Sequence, residues 1–285
     1  MKWFEIVLSG ARCALLSLAA VALLPAPALA ATTPKKGLAI GTKLDGDGSK
    51  LARMHVHWYY NWTLKPNHPQ SADCFVPMYW GKKGQLATLK TALEGRKPPL
   101  LLTFNEPDFK NQANRSIDEV LAEWPELVGL GVPLSAPTAA RPMDAWMRDF
   151  MRQAGQRRLS MAAVPVHWYG GPDVDRFIEF IEKVHQQYQR PLWITEFAVA
   201  DWHSTKYGSI NRFTEDDVVA FVRKALPRLD ALPYVERYSW LAADTDKESL
   251  RPSLLFTDDG KLTRVGLAYA MHGYDKDFKG YCGDK

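Results

Sequence analysis

The 285-residue chain contains no G-x-G-x-x-G fingerprint and no P-loop, so neither a dinucleotide nor a nucleoside triphosphate is an expected ligand. Its His and Cys residues show no zinc-type spacing, and no metal or organic cofactor is expected. The 36 basic residues exceed the 32 acidic ones only slightly and form no run able to track a phosphate backbone, so no nucleic-acid partner is expected. There is no internal sequence repeat. Cysteine is scarce, at Cys13, Cys74 and Cys282. The apolar run Cys13 to Leu24 falls short of the ~20 residues a membrane span needs.

That run has the form of a secretory leader. Lys2 and Arg12 precede it, and Pro25 to Ala30 closes on an A-x-A signature. The expected division is residues 1–30 signal peptide, 31–36 linker, and 37–285 one catalytic domain that acts outside the cytoplasm, free of the membrane after cleavage and as a monomer. Export leaves Cys74 and Cys282, which either pair or remain two buried thiols.

Eight short apolar stretches read as strands: Gly37 to Gly41, His55 to Trp62, Cys74 to Trp80, Leu100 to Pro107, Pro133 to Pro137, Leu159 to Tyr169, Pro191 to Ala198 and Glu236 to Ala242. Helical patterns separate most of them. Ser116 and Glu119 make a capping box for one helix. Asp173 to Tyr188 is strongly amphipathic, and Thr214 and Thr263 cap two more. Strands alternating with helices imply a parallel sheet, and eight units in ~250 residues suit a (β/α)8 TIM barrel as a single domain. The alternative, an open doubly wound sheet, lacks its glycine-rich first crossover here.

A barrel puts its chemistry where strands end. Trp58, Trp62, Trp80, Trp168, Trp202 and Trp240 all lie at or just beyond such ends, as do Tyr59, Tyr60, Tyr79, Tyr169 and Phe197. Trp124 and Trp146 fall instead on helix stripes, and Trp193 reads as a barrel-to-helix contact. Rings at the mouth can face the apolar side of a sugar while their N–H and O–H groups bond its hydroxyls. Two acids stand among them. Leu100 to Asp108 (LLLTFNEPD) ends its strand at Glu106, because Pro107 cannot donate to a ladder, and Pro191 to Ala198 (PLWITEFA) carries Glu196. Two carboxylates facing each other are what glycoside hydrolysis uses. Asn105 can bond a hydroxyl of the reacting sugar. His167 and Tyr169, on one side of the sixth strand, can hold Glu196. Asp108 and Asp201 read as loop acids.

The set WYYNW, FVPMYWG, LLTFNEPD, VHWYGG and PLWITEFA, in this order over about Gly37 to Tyr274, resembles glycoside hydrolase family 128, clan A β-1,3-glucanases with a compact barrel. The resemblance implies a retaining, endo-acting hydrolase of β-1,3-glucan, with Glu106 at the acid/base position and Glu196 at the nucleophile. It implies Trp240 as the platform under the reacting sugar. Trp58, Asn61, Trp62, Trp80 and Trp168 are candidates for flanking subsites. One departure concerns the second strand, which ends Asn61-Trp62 where many clan A enzymes carry an arginine; Arg53 lies before it. Two other readings remain open: a catalytically silent β-glucan-binding barrel, and a hydrolase or transglycosylase of another β-glucan.

Overall fold

The computed structural model describes residues 34–244 and 246–283; the expected leader, residues 1–30, lies outside them. The chain opens with β1 (Lys36–Ala39), two single-turn helices α1 (Thr42–Asp45) and α2 (Ser49–Ala52), and β2 (Trp58–Tyr60). A 3-10 turn (Pro69–Cys74) leads to β3 (Met78–Tyr79) and α3 (Leu86–Ala92). Then come β4 (Leu101–Asn105), α4 (Ile117–Val128), β5 (Leu134–Thr138), α5 (Ala145–Gln156), β6 (Val164–Gly170) and α6 (Val174–Tyr188). The chain continues with β7 (Leu192–Val199), α7 (Trp202–Tyr207), α8 (Glu215–Ala231), β8 (Val235–Leu241), a second 3-10 turn and α9 (Arg264–Met271).

All pairings among β1 to β8 are parallel. One run is β2-β1-β8-β7-β6 and the other β3-β4-β5. Two single parallel bridges close the ring, Tyr59 to Phe75 and Ser135 to Ala163. The chain therefore forms the expected (β/α)8 barrel. Its second and third strands are shorter than their apolar stretches. Thr63 to Asp73, which has no helical period in sequence, contains the 3-10 turn, started by Pro69. The caps at Ser116, Thr214 and Thr263 sit where the sequence places them, and Asp173 caps α6.

Two apolar clusters follow from strand alternation. The larger lies between barrel and helices, and includes Trp124, Phe150, Phe177, Phe221 and Trp240. The smaller takes residues from the strands and their approaches alone, Ala39, Trp58, Tyr60, Met78, Leu102 and Trp193 among them, and fills the barrel interior. Trp193 thus corrects the sequence reading: it packs at a tilt against Trp58 inside the barrel, 5.2 Å between centroids, rather than facing a helix. Cys74 and Cys282 are joined by a disulfide, with Cα atoms 5.9 Å apart. The Cys282 amide donates to Val56, just before β2, so the bridge sits at the end of the barrel where strands begin. Among the described residues no helix is long and apolar enough to cross a membrane.

Candidate active site

At the opposite end, where strands finish, lies a cleft of about 940 Å³ lined by Trp62, Trp80, Asn105, Glu106, His167, Tyr169, Glu196 and Trp202, with Leu241 and Phe109. Local departures from regular strand put the two carboxylates there. In a regular strand Asn105 and Glu106 would face opposite ways. Here Phe104 and Glu106 both adopt φ of 46°, on either side of Asn105, and the β4–β5 register shifts twice. Phe104 goes into the outer core while Asn105 and Glu106 both face the cleft. Left-handed non-glycine residues of this kind are costly and collect at functional sites. In β7, Ile194 pairs with Tyr238 and Phe197 with Trp240, so three steps along β7 match two along β8. That bulge presents Glu196 to the cleft while Ile194 and Phe197 stay in the outer core.

Glu196 is 7 % exposed and held from several elements. Its Oε1 accepts from the Tyr60 hydroxyl at 2.8 Å and from the Trp62 indole at 2.7 Å. Its Oε2 accepts from the Tyr169 hydroxyl. His167 stands between the acids, with Nδ1 2.9 Å from Glu106 and Nε2 3.3 Å from Glu196. The second contact is out of line and leaves Nε2 without a hydrogen bond. Burial acts to lower the His167 pKa, but the Glu196 charge and the hydrogen bond and charge of Glu106 outweigh it, and the net shift is upward. Burial, then the Glu196 charge, pushes Tyr60 and Tyr169 well above the ordinary tyrosine value, so both remain donors.

One oxygen from each glutamate and a His167 nitrogen lie within 4.8 Å of one another, a grouping with the shape of a metal site. The donor set argues otherwise. Both Glu196 oxygens are engaged by O–H or N–H groups that a cation would have to displace.

The structure corrects four sequence-based candidates. Trp58 does face inward, but near the bottom of the barrel, where its indole donates to the Lys35 carbonyl. Trp168 stacks on Phe221 of α8 and packs on Phe177 of α6, because alternation turns it away from His167 and Tyr169. Trp240 is fully buried between Phe197 and Tyr269 and donates to Ser253, leaving Leu241 to line the cleft. Asn61 shapes its own loop: its side chain accepts from the Thr63 amide and donates to Lys65 and Asn67. Asp108 and Asp201 behave as loop acids, accepting from Ala140, Arg141 and Arg212 amides. Tyr60 is the residue the sequence reading left among general mouth aromatics. Its signal was parity with Trp62, two residues on.

A family model described as glycosyl hydrolase catalytic core matches residues 37–269. An endo-β-1,3-glucanase of glycoside hydrolase family 128, subgroup I, from Amycolatopsis mediterranei, solved with laminaripentaose, is 30 % identical; the match covers 84 % of this chain and 99 % of that one, with a TM-score of 0.70. An oligosaccharide-binding protein of subgroup VII from Trichoderma gamsii shares the fold at 22 % identity, over 85 % of this chain and 94 % of its own, with a TM-score of 0.67. Alkali-sensitive linkage protein 1 of Schizosaccharomyces pombe is 28 % identical over 248 residues, 82 % of this chain. The chain spans only 44 % of that relative's length.

Proposed function

The chain belongs to glycoside hydrolase family 128, and from that premise we propose that it is an exported hydrolase that cuts internal β-1,3-glucosidic bonds with retention of configuration. The observation that carries this reading is the approach of Glu106 and Glu196, with oxygens within 4.8 Å across an aromatic cleft. Retaining enzymes hold their two carboxyl groups about 5–5.5 Å apart, whereas inverting ones leave about 6.5–9.5 Å for a water. A solved relative was crystallised with a β-1,3-linked oligosaccharide, which supports the substrate class.

In this mechanism Glu196 attacks the anomeric carbon. Three donors orient its carboxylate and keep both oxygens in place. Glu106 gives its proton to the departing oxygen, then draws a proton from the water that releases the glycosyl enzyme. His167, bonded to Glu106, fixes the direction of that carboxyl. Trp62, Trp80 and Trp202 offer ring faces to the sugars, and Asn105 offers its amide to a hydroxyl.

A second reading, a silent glucan-binding barrel, is favoured by the fold shared with the Trichoderma gamsii protein. The deciding assay is reducing-end release from laminarin over time. The hydrolase reading expects a spread of oligosaccharides from early in the digest. Glu106→Gln and Glu196→Gln are each expected to lose about 10³-fold or more in kcat while still binding laminari-oligosaccharides. Wild-type turnover by either variant would sink the assignment.

A further inference from the structure

The second strand carries no arginine at its end, yet it delivers two donors to the carboxylate opposite. Tyr60 and Trp62 face the same way, with ring centroids 5.2 Å apart, and both bond Glu196 Oε1. Tyr60 is fully buried, and its hydroxyl has no access to a sugar. Below it, Trp58 stacks nearly parallel, at 16° and 6.2 Å. Trp58 is itself pinned by the Lys35 carbonyl, by Trp193 and by the Arg237 guanidinium 5.7 Å from its ring. A Cβ on Gly37 would stand 2.3 Å from the Trp58 ring, so β1 is shaped to admit that ring. The three inward residues of the WYYNW stretch thus form one column from the barrel's bottom to the carboxylate.

We propose that Tyr60 is a positioning residue for Glu196: with Trp62 it supplies two neutral donors to one oxygen of that carboxylate, and the column beneath holds its hydroxyl in place. This deepens the hydrolase reading and rests on it for the role of Glu196. A neutral O–H donor orients a nucleophile without pairing its charge, so the carboxylate keeps more of its electron density for the anomeric carbon than it would beside a guanidinium. Among the described titratable groups in contact with Glu196, that leaves His167 as the one able to carry positive charge, the others being Tyr60, Tyr169 and Glu106. Asp108 acts through His167, and the charged groups farther out on the cleft lining are Lys43, Arg141, Asp244 and Lys247.

The test is Tyr60→Phe, which removes one oxygen and keeps the ring. Two things are measured: steady-state kinetics on laminarin, and calorimetric binding of laminari-oligosaccharides. Expected are a kcat lower by about 10- to 100-fold with KM and oligosaccharide affinity within about threefold. The double variant Tyr60→Phe/Glu196→Gln should lose no more kcat than Glu196→Gln alone, because the lost bond acts only through that carboxylate. A kcat like wild type overturns the proposal, as does a double variant clearly slower than Glu196→Gln. A wild-type enzyme that releases no reducing ends from any β-1,3-glucan defeats the hydrolase reading instead, and the role of Tyr60 with it. Should Tyr60→Phe not fold, Trp62→Phe removes the neighbouring donor to the same oxygen, and the same non-additivity with Glu196→Gln is expected.

Discussion

At the scale of single residues, His167 is the group whose charge depends most on its neighbours. It lies between two carboxylates with its side chain 1 % exposed, and its pKa is raised against the pull of burial. A histidine whose folded pKa exceeds its unfolded value of about 6.5 contributes stability that is complete below that value. The contribution fades as pH rises through the raised folded value. The melting-temperature gap between wild type and His167→Gln is therefore expected to be wider at pH 6 than at pH 9, by about 2–4 °C, the shift that roughly 1 kcal/mol makes in a domain this large. Thermal melts at the two pH values measure it, and a gap independent of pH would mean that His167 stays neutral.

Asp201 governs an element. It caps α7 by accepting from the His203 amide, and it takes the Arg212 side chain on both oxygens. The Arg212 hydrogen bonds hold its carboxyl well below the usual carboxylate range, against the effect of burial. The folded value being depressed, this stability is present above the ordinary aspartate value and lost as pH falls toward the folded one. Trp202, half-exposed on the same short helix, forms one wall of the cleft and donates to the Tyr169 carbonyl. Asp201→Asn should lower the melting temperature and let that wall move. A rise in KM for laminarin of about 2- to 10-fold is expected, the range an aromatic contact carries, with kcat nearly unchanged. The bulge in β7 and the left-handed residues Phe104 and Glu106 at the end of β4 are the element-scale features that no periodicity displays. Each is a local break in alternation, sustained because the surrounding barrel and core hold it.

For the whole molecule, the Cys74–Cys282 bond ties the carboxyl-terminal tail to the approach of β3, across 208 residues of sequence. Closing so long a loop constrains the unfolded chain, and removing a native bond of this kind costs about 2–5 kcal/mol. Because the bond sits at the end of the barrel away from the cleft, Cys74→Ser should melt several degrees lower while its kcat on laminarin matches wild type. A matched loss of activity at low temperature would place the tail's influence at the site itself.

Residue order alone determined the number of strands, their parallel arrangement, most helix starts, and the two glutamates, because each leaves a local mark. An apolar run stopped by proline, a capping box and a 3.6-residue stripe are all short-range patterns. Only the tertiary structure decided which rings reach the cleft. Trp58, Trp168 and Trp240 carry the same strand-end signal as Trp62 and Trp80, yet one lies at the bottom of the barrel and two face the helices. Alternation says that neighbouring side chains face opposite sides, but not which side is the interior. That is fixed by closure of the ring, and height along the axis by register between strands. Tyr60 meets Glu196 across 136 positions for the same reason: the meeting exists only once β2, β1, β8 and β7 have paired in order.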